Sequence, residues 1–319
     1  MVINKKYSMY LKKIEKRTGK ENILNNKYLI ITRDGKKPPL GFFAFYITHI
    51  GWIDYALQHD MIPVVDMQYK WNVFLKEDEV GKVNSYEYYF KQPCGVSVDE
   101  ALKEGNARYV WSNIPPYHPN DSLDYLYNPE IVQYYSGLAK KYMPFTDTVE
   151  KELKEIESVL FPKDSRILGV LARGTDYTTL KPFYHPVQPT MDMIITQIKK
   201  YRKEYDCDKI YVATEDQNHL NSLKKEFGDD LIYMDQPRLG ETTTYLNDDK
   251  EFTKRTPYQL GLDNLKSIYL LSRCKGLIAG RTSGTVGASI LADQYEFMHI
   301  FSIGRYGVED KIMEKGLDK

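Results

Sequence analysis

Short apolar runs alternate with longer amphipathic stretches along most of the chain. Runs of β-branched and aromatic residues that end at turn residues predict strands. In the first half of the chain, the predicted strands are residues 27–32, 61–66 and 107–112. In the second half, the predicted strands are residues 166–172, 209–214, 231–235, 276–280 and 295–301.

Apolar residues at helical spacing separate these strands. The predicted helices are 42–59, 189–205, 216–227, 258–272 and 284–293, with a longer helical region at 129–161. Such alternation indicates parallel sheets that are covered by helices on both faces. We therefore expect an α/β protein of two doubly wound, Rossmann-like domains, 1–160 and 161–319, that face a central cleft. The last helix is expected to pack back on the first domain.

The composition is that of a folded protein without an overall basic charge. Of 319 residues, 42% are hydrophobic and 28% are charged, and the 44 basic residues equal the 44 acidic ones. A formal net charge of zero argues against a protein whose main task is to bind nucleic-acid phosphates. Cys94, Cys207 and Cys274 are too few and too far apart for a disulfide framework, so we expect reduced thiols and a cytoplasmic location.

No apolar run reaches the ~18 residues that a membrane-spanning helix needs. The first 20 residues are basic and lack the apolar stretch of a secretory signal. They fit an amphipathic helix that docks on its own domain. The alternative is peripheral association with the inner face of a membrane.

Ligands of parallel sheets bind beyond the carboxyl ends of the strands, so the loops there are the first candidates for chemistry. The loop after the strand at 166–172 contains Arg173, Gly174 and Asp176. Only 11 of the 44 basic residues are arginine, and a guanidinium can hold phosphate oxygens in a bidentate way that lysine cannot. The alternative is an Arg173–Asp176 pair that only shapes the loop.

Two further loops occupy the same position after other strands. Thr214, Glu215 and Asp216 precede a helix, where they either meet a nucleotide or simply cap the helix. The small, hydroxyl-rich stretch 280–287 also opens a helix, and exposed amides at a helix N-terminus bind phosphate without a metal. The alternative for that stretch is a tight turn with no ligand.

Histidines and carboxylates give weaker signals. His185 lies in a rigid aromatic stretch and is a candidate proton carrier, although a histidine before proline is more often structural. In the first half, Asp34, His49 and Asp54 are available for contacts with an acceptor substrate or for base chemistry, and the sequence does not select among them. The sequence shows no metal-ligand spacing, so we expect no metal site.

The second half resembles the α1,6-fucosyltransferases and the nodulation fucosyltransferases. The motif Arg173-Gly174-Thr175-Asp176, followed by His185-Pro186, is similar to the Arg-Arg-Thr-Asp…His-Pro pattern of that family. The resemblance continues through the segments 210–216, 268–272 and 282–286 in the same order and at similar spacing.

The resemblance implies a GT-B fold and an inverting, metal-independent transfer of fucose from GDP-fucose. It also implies that Arg173 holds the β-phosphate of the donor, and that Ser283, Gly284 and Thr285 contact the diphosphate. The chain departs from the family pattern at four positions. The family's second arginine is Gly174, a preceding histidine is Leu171, the base glutamate of some members falls at Lys181, and the guanine-contacting aspartate is Ser267, with Asp263 one turn away.

The sequence thus predicts a glycosyltransferase with an N-terminal acceptor domain and a C-terminal donor domain. Asp176 is the expected base or acceptor-orienting group, with His185 second. The expected partners are a nucleotide sugar and a saccharide or lipid-linked saccharide in surface polysaccharide or glycan synthesis. The alternatives are another nucleotide-sugar donor, a phosphosugar-processing α/β enzyme and a nucleotide-sugar-binding scaffold.

Overall fold

The computed structural model describes residues 26–33, 41–110, 114–174, 178, 180–239 and 254–308. Several expectations from the sequence therefore lie outside the described residues. These are the N-terminal helix, the last helix, Asp34 and Asp176.

The described elements follow the predicted alternation closely. The strands are β1 (Tyr28–Thr32), β2 (Ile62–Asp66), β3 (Ala107–Val110), β4 (Ile167–Leu171), β5 (Lys209–Ala213), β6 (Leu231–Tyr233), β7 (Gly276–Gly280) and β8 (Phe297–Phe301). The helices are α1 (Phe42–Gln58), α2 (Val98–Glu104), α3 (Leu123–Leu126), α4 (Pro129–Tyr142), α5 (Asp147–Leu160), α6 (Met191–Glu204), α7 (Gln217–Phe227), α8 (Pro257–Ser272) and α9 (Ser283–Ala292). None of the described helices is both long enough and apolar enough to cross a membrane.

The described chain forms two compact units. The first contains the described residues up to Pro119 together with Tyr134–Val149, and the second contains Asn120–Gln133 and the described residues from Glu150 onward. One division follows Pro119 and the other two fall inside helices α4 and α5, whereas the sequence suggested a single boundary after residue 160. The segment Asn120–Gln133 thus packs with strands that follow it much later in the chain.

The first unit is built on a three-stranded parallel sheet in the order β2-β1-β3. All five residues of β1 are buried, as expected for a central strand of a parallel sheet. Helix α1 buries residues on nearly every side, because its sequence is apolar around most of its circumference.

The second unit is built on a five-stranded parallel sheet in the order β6-β5-β4-β7-β8. Apolar side chains of α6 and α7 pack with one face, including Ile198 against the layer of Leu168 and Val170. The other face is covered by α8, where the Tyr211 hydroxyl donates to the Ser267 carbonyl at 3.2 Å. Helices on both faces of a parallel sheet confirm the predicted doubly wound α/β architecture.

Candidate functional site

The carboxyl ends of three neighbouring strands bring the predicted site loops together in the second unit. In the parallel register, Leu171 at the end of β4 pairs with Ala213 of β5 on one side and with Ala279 of β7 on the other. Each strand continues directly into a predicted loop. Arg173, Glu215 and Ser283 therefore lie along the same edge of one sheet.

Arg173 is held in place by the loop that follows β5. Its Nη1 lies 3.1 Å from Oε1 of Glu215, and the backbone N–H of Gly174 donates to the same oxygen at 3.2 Å. About a quarter of the Arg173 side chain remains exposed. Glu215 thus fixes a partly exposed guanidinium, a group that binds phosphate oxygens well, at the edge of the sheet.

Gly174 is required by the close approach of two loops. A Cβ atom at this position would lie 2.5 Å from Oδ2 of Asp216 and 2.8 Å from Cε1 of His219. Because real Cβ atoms essentially never approach other atoms this closely, no larger side chain fits without a shift. The family's second arginine therefore has no room here.

Thr214 and Asp216 both stabilise the turn that begins α7. The Asp216 carboxylate accepts hydrogen bonds from the backbone N–H groups of Asn218 at 2.8 Å and His219 at 3.1 Å. The Thr214 hydroxyl is buried and accepts from the Asp216 N–H at 3.1 Å. This is the helix-capping alternative that the sequence left open.

The N-terminus of α9 contributes the second half of the site. The Thr282 side chain caps the helix by accepting from the Thr285 N–H at 3.2 Å. Thr285 is fully buried, and its hydroxyl donates to the Gly280 carbonyl at 2.5 Å. The sequence predicted that Thr285 contacts the diphosphate. In the structure, its N–H and its hydroxyl group both donate to other residues of the protein.

Ser283 and Gly284 are partly exposed, and their amides have no hydrogen-bond acceptor in the part of the chain that the structure describes. A Cβ atom on Gly284 would lie 3.3 Å from Cδ2 of Leu171, two residues before Arg173. The open amides thus lie beside the strand that carries the guanidinium. Free helix-terminal amides next to a fixed arginine are the groups that bind a phosphate.

His185 lies in a segment that docks on the chain after β8. The Tyr306 N–H donates to the His185 carbonyl at 2.9 Å, and the Tyr184 N–H donates to the Tyr306 carbonyl at 2.9 Å. The residue as a whole is exposed, and two backbone hydrogen bonds to Tyr306 hold its segment in place.

Asp263 lies on helix α8 and not on a loop at the end of a strand. Its Oδ2 is 3.3 Å from Nε of Arg255. Burial raises the pKa of the Asp263 carboxyl group, and the charge of Arg255 opposes this effect. Ser267, the residue at the family's aspartate position, is buried, and its backbone carbonyl accepts the bond from Tyr211 of β5.

A cluster of two arginines after β7 and β8, of which Arg281 is buried, was not predicted. Arg281 is only 3% exposed, and its Nε donates to the carbonyl of Asp121 at 2.7 Å. Arg305 lies 3.4 Å from the Asp121 carboxylate. The cluster fixes the segment that contains Asp121 to the second unit. Since Asp121 is 160 residues from Arg281, no local sequence signal pointed to it.

In the first unit, the two described candidates are both buried. His49 is 2% exposed, and burial, with a contribution from Arg33, lowers its pKa to about 3. Asp54 accepts hydrogen bonds from the hydroxyl groups of Tyr134 at 2.5 Å and Tyr135 at 3.2 Å. Both side chains thus belong to the packing of the unit. Over the described residues, no three His, Cys, Asp or Glu side chains converge as a metal site would require.

Comparisons with known proteins identify the fold. No protein-family model matches the chain, and no curated protein matches it in sequence. Among solved structures, the α-1,6-fucosyltransferase NodZ co-crystallised with GDP is 14% identical, with a TM-score of 0.53 over 82% of this chain and 91% of that one. NodZ soaked with GDP-fucose is 13% identical, with a TM-score of 0.54 over 88% of this chain and 97% of that one.

A plant structure gives a similar result. A variant of FUT1 from Arabidopsis thaliana in complex with GDP is 12% identical, with a TM-score of 0.54 over 97% of this chain and 77% of that one. A further NodZ structure, from Bradyrhizobium, has a TM-score of 0.53. The chain therefore has the GT-B fold of these fucosyltransferases, as its sequence motifs predicted.

Proposed function

We propose that the protein is an inverting, metal-independent glycosyltransferase that takes fucose from GDP-fucose. The observation that carries the proposal is the pairing of Arg173, fixed by Glu215, with the open amides of Ser283 and Gly284 at one sheet edge. Two neighbours of the same fold, NodZ and FUT1, were solved with GDP or GDP-fucose. These neighbours support the choice of a guanine nucleotide sugar as the donor.

The proposed chemistry is a direct displacement at the anomeric carbon of the donor sugar. The acceptor hydroxyl attacks this carbon while the bond to the diphosphate oxygen breaks, and negative charge builds on the leaving phosphate. Arg173 and the amides of Ser283 and Gly284 stabilise that charge. Because the charge is greater in the transition state than in the bound donor, fixed hydrogen-bond donors at this position increase the rate.

The proton of the acceptor hydroxyl requires a base. We assign this role to Asp176, with His185 as the second candidate, because both follow Arg173 closely in the chain. The acceptor is a saccharide or lipid-linked saccharide, and the reaction serves surface polysaccharide or glycan synthesis in the cytoplasm. Thr214, Glu215 and Asp216 would support the donor loop, and Asp263 would meet the base of the nucleotide.

The proposal is tested first by nucleotide preference. Calorimetric titration with GDP, UDP, ADP and glucose 1-phosphate should show binding of GDP at least about tenfold tighter than the other three. Tighter binding of UDP or ADP would show that the donor carries a different nucleotide. Preference for glucose 1-phosphate would instead support a phosphosugar-processing enzyme.

The second test is turnover without metal. The release of GDP from GDP-fucose should continue in excess chelator, because Arg173 and the helix-terminal amides supply the positive field at the leaving group. Activity that appears only after addition of Mg²⁺ or Mn²⁺ would disprove metal independence. A protein that binds GDP but does not cleave GDP-fucose, with or without an acceptor, would be a nucleotide-sugar-binding scaffold.

A further inference from the structure

Two aromatic side chains stand out from the surface beside the site. Phe183 is 74% exposed and Tyr184 is 45% exposed, which is unusual for adjacent large rings. Their ring centroids are 6.3 Å apart, with an angle of 39° between the ring planes. Together they form a shallow aromatic surface, which we call the aromatic platform (Phe183 and Tyr184).

The platform is held rigidly. The Tyr184 N–H donates to the Tyr306 carbonyl at 2.9 Å, and Arg305 Nη1 donates to the Tyr184 carbonyl at 3.0 Å. The Arg305 guanidinium also lies 4.9 Å from the centroid of the Tyr184 ring. The Phe183 ring rests directly on Gly307, where an added Cβ would lie 2.7 Å from Cδ2 of Phe183.

The backbone that presents the rings is strained. Lys181 has a φ of 45° and Tyr184 has a φ of 66°, a region that side chains other than glycine rarely adopt. Such strain persists only where surrounding contacts enforce it, and it is concentrated at functional sites. The segment that carries the two exposed rings thus adopts this backbone conformation at a cost in folding free energy.

The platform continues the edge of the sheet that carries the donor loops. Gln188, four residues after Tyr184, is buried and donates to the Arg281 carbonyl at 3.4 Å. An added Cβ on Gly280 would lie 2.1 Å from Oε1 of Gln188, so the segment lies directly on the end of β7. Two residues beyond Arg281, Ser283 begins helix α9.

We propose that the aromatic platform binds a pyranose ring of the saccharide acceptor. This inference rests on the proposed function and identifies where that function holds its second substrate. A pyranose presents an apolar face of C–H groups, which stacks on an aromatic ring, and a rim of hydroxyl groups. Lys181, which is exposed and lies two residues before Phe183 in the chain, is of a residue type that donates hydrogen bonds to such hydroxyl groups. A rigid aromatic surface loses little conformational entropy on binding.

The test uses the full chain and an array of neutral oligosaccharides of glucose, galactose, mannose and N-acetylglucosamine. Saturation-transfer NMR then measures the affinity of the saccharide that binds best. Phe183→Ala should weaken this affinity by about tenfold, because one stacking face is lost. Phe183→Tyr should retain it, since the ring remains. Val159→Ala, at a residue that is equally exposed but remote in sequence, is the control for surface changes.

GDP titration on the same variants separates this inference from the proposed function. We expect Phe183→Ala to bind GDP as the unaltered chain does. Equal saccharide affinity in Phe183→Ala and the unaltered chain would overturn the inference, as would the absence of saccharide binding in a chain that binds GDP. Self-association that Phe183→Ala abolishes would assign the platform to contact with a second copy of the chain. If the unaltered chain does not bind GDP, the result would count against the proposed function instead.

Discussion

Single residues explain why this chain keeps only one arginine in its phosphate loop. The loops after β4 and β5 pack so closely that Gly174 has no space for a side chain. Glu215 bonds to both Arg173 and the Gly174 amide, so the position of the remaining guanidinium depends on this close packing. Because Gly174 has no side chain, the loop after β5 can approach closely enough for Glu215 to bond to Arg173.

Gly174→Ala should destabilise the protein and weaken donor binding. The new Cβ overlaps Asp216 and His219, and overpacking of this kind typically costs ~1–3 kcal/mol of unfolding free energy. Gly137→Ala is the matched control, because nothing lies within 4 Å of an added Cβ there. Since Gly137 is inside helix α4, its replacement should stabilise the protein by up to about 1 kcal/mol. Urea unfolding measures the change in unfolding free energy for both variants. If Gly174→Ala is as stable as Gly137→Ala, the packing argument is wrong.

At the scale of elements, the ends of two helices determine what the site offers. Thr282 and Thr285 use their hydroxyl groups to complete the turn into α9, and the amides of Ser283 and Gly284 between them have no acceptor among the described residues. At α7, by contrast, Asp216 closes the helix N-terminus with its own carboxylate. One helix end is thus available to an anion, and the other is already occupied.

Asp216→Ala should lower the unfolding free energy by about 1 kcal/mol, because two backbone N–H groups lose their acceptor. Asp216→Asn retains the acceptor oxygen and should stay within a few tenths of a kcal/mol of the unaltered chain. Thermal melts of the two variants measure the difference. If both variants melt alike but lose GDP binding alike, the role of Asp216 is in donor binding and not in capping.

Strand β8 is completed by a side chain at the edge of the sheet. The Tyr127 hydroxyl accepts from the Ile300 N–H at 2.9 Å and donates to the Met298 carbonyl at 3.4 Å. Tyr127→Phe should lower the unfolding free energy by about 1 kcal/mol, since both bonds are lost while the ring remains. The Ile300 amide should also exchange faster with deuterium. Unchanged exchange at Ile300 would show that the hydroxyl does not protect this edge.

At the scale of the whole molecule, the sequence predicted the elements better than their partners. Periodicity found all eight described strands, and the rule for parallel sheets placed Arg173, Glu215 and Ser283 at one edge. It did not predict that Asn120–Gln133 packs with the second unit. That arrangement depends on contacts such as Asp121 with Arg281, and a local pattern carries no information about such distant pairs. The inward orientation of Thr285 was missed because a hydroxyl at a helix start fits a cap and a ligand contact equally well.

Acid should destabilise the protein through His49. Its pKa is about 3 in the folded state and ordinarily 6.5, so the unfolded chain binds more protons between these values. Stability is therefore complete above pH 6.5 and falls as the pH decreases toward 3. From pH 7 to pH 5, this group should cost about 2 kcal/mol. His49→Phe, which fills the same aromatic surroundings without titrating, should lose about 2 kcal/mol less in urea unfolding over that interval. Equal losses in both proteins would exclude His49 as the cause.

The central claim is that Arg173 holds the diphosphate of a nucleotide sugar. It is tested most directly by calorimetric titration of GDP into the unaltered chain, Arg173→Ala and Arg173→Lys, with thermal melts as the check of folding. Loss of charge-assisted hydrogen bonds worth ~1.5–3 kcal/mol should weaken GDP binding by about 10- to 100-fold in Arg173→Ala. Lysine should restore little of it, because a point charge does not replace the guanidinium fork. GDP binding in a folded Arg173→Ala that is as tight as in the unaltered chain would contradict the account.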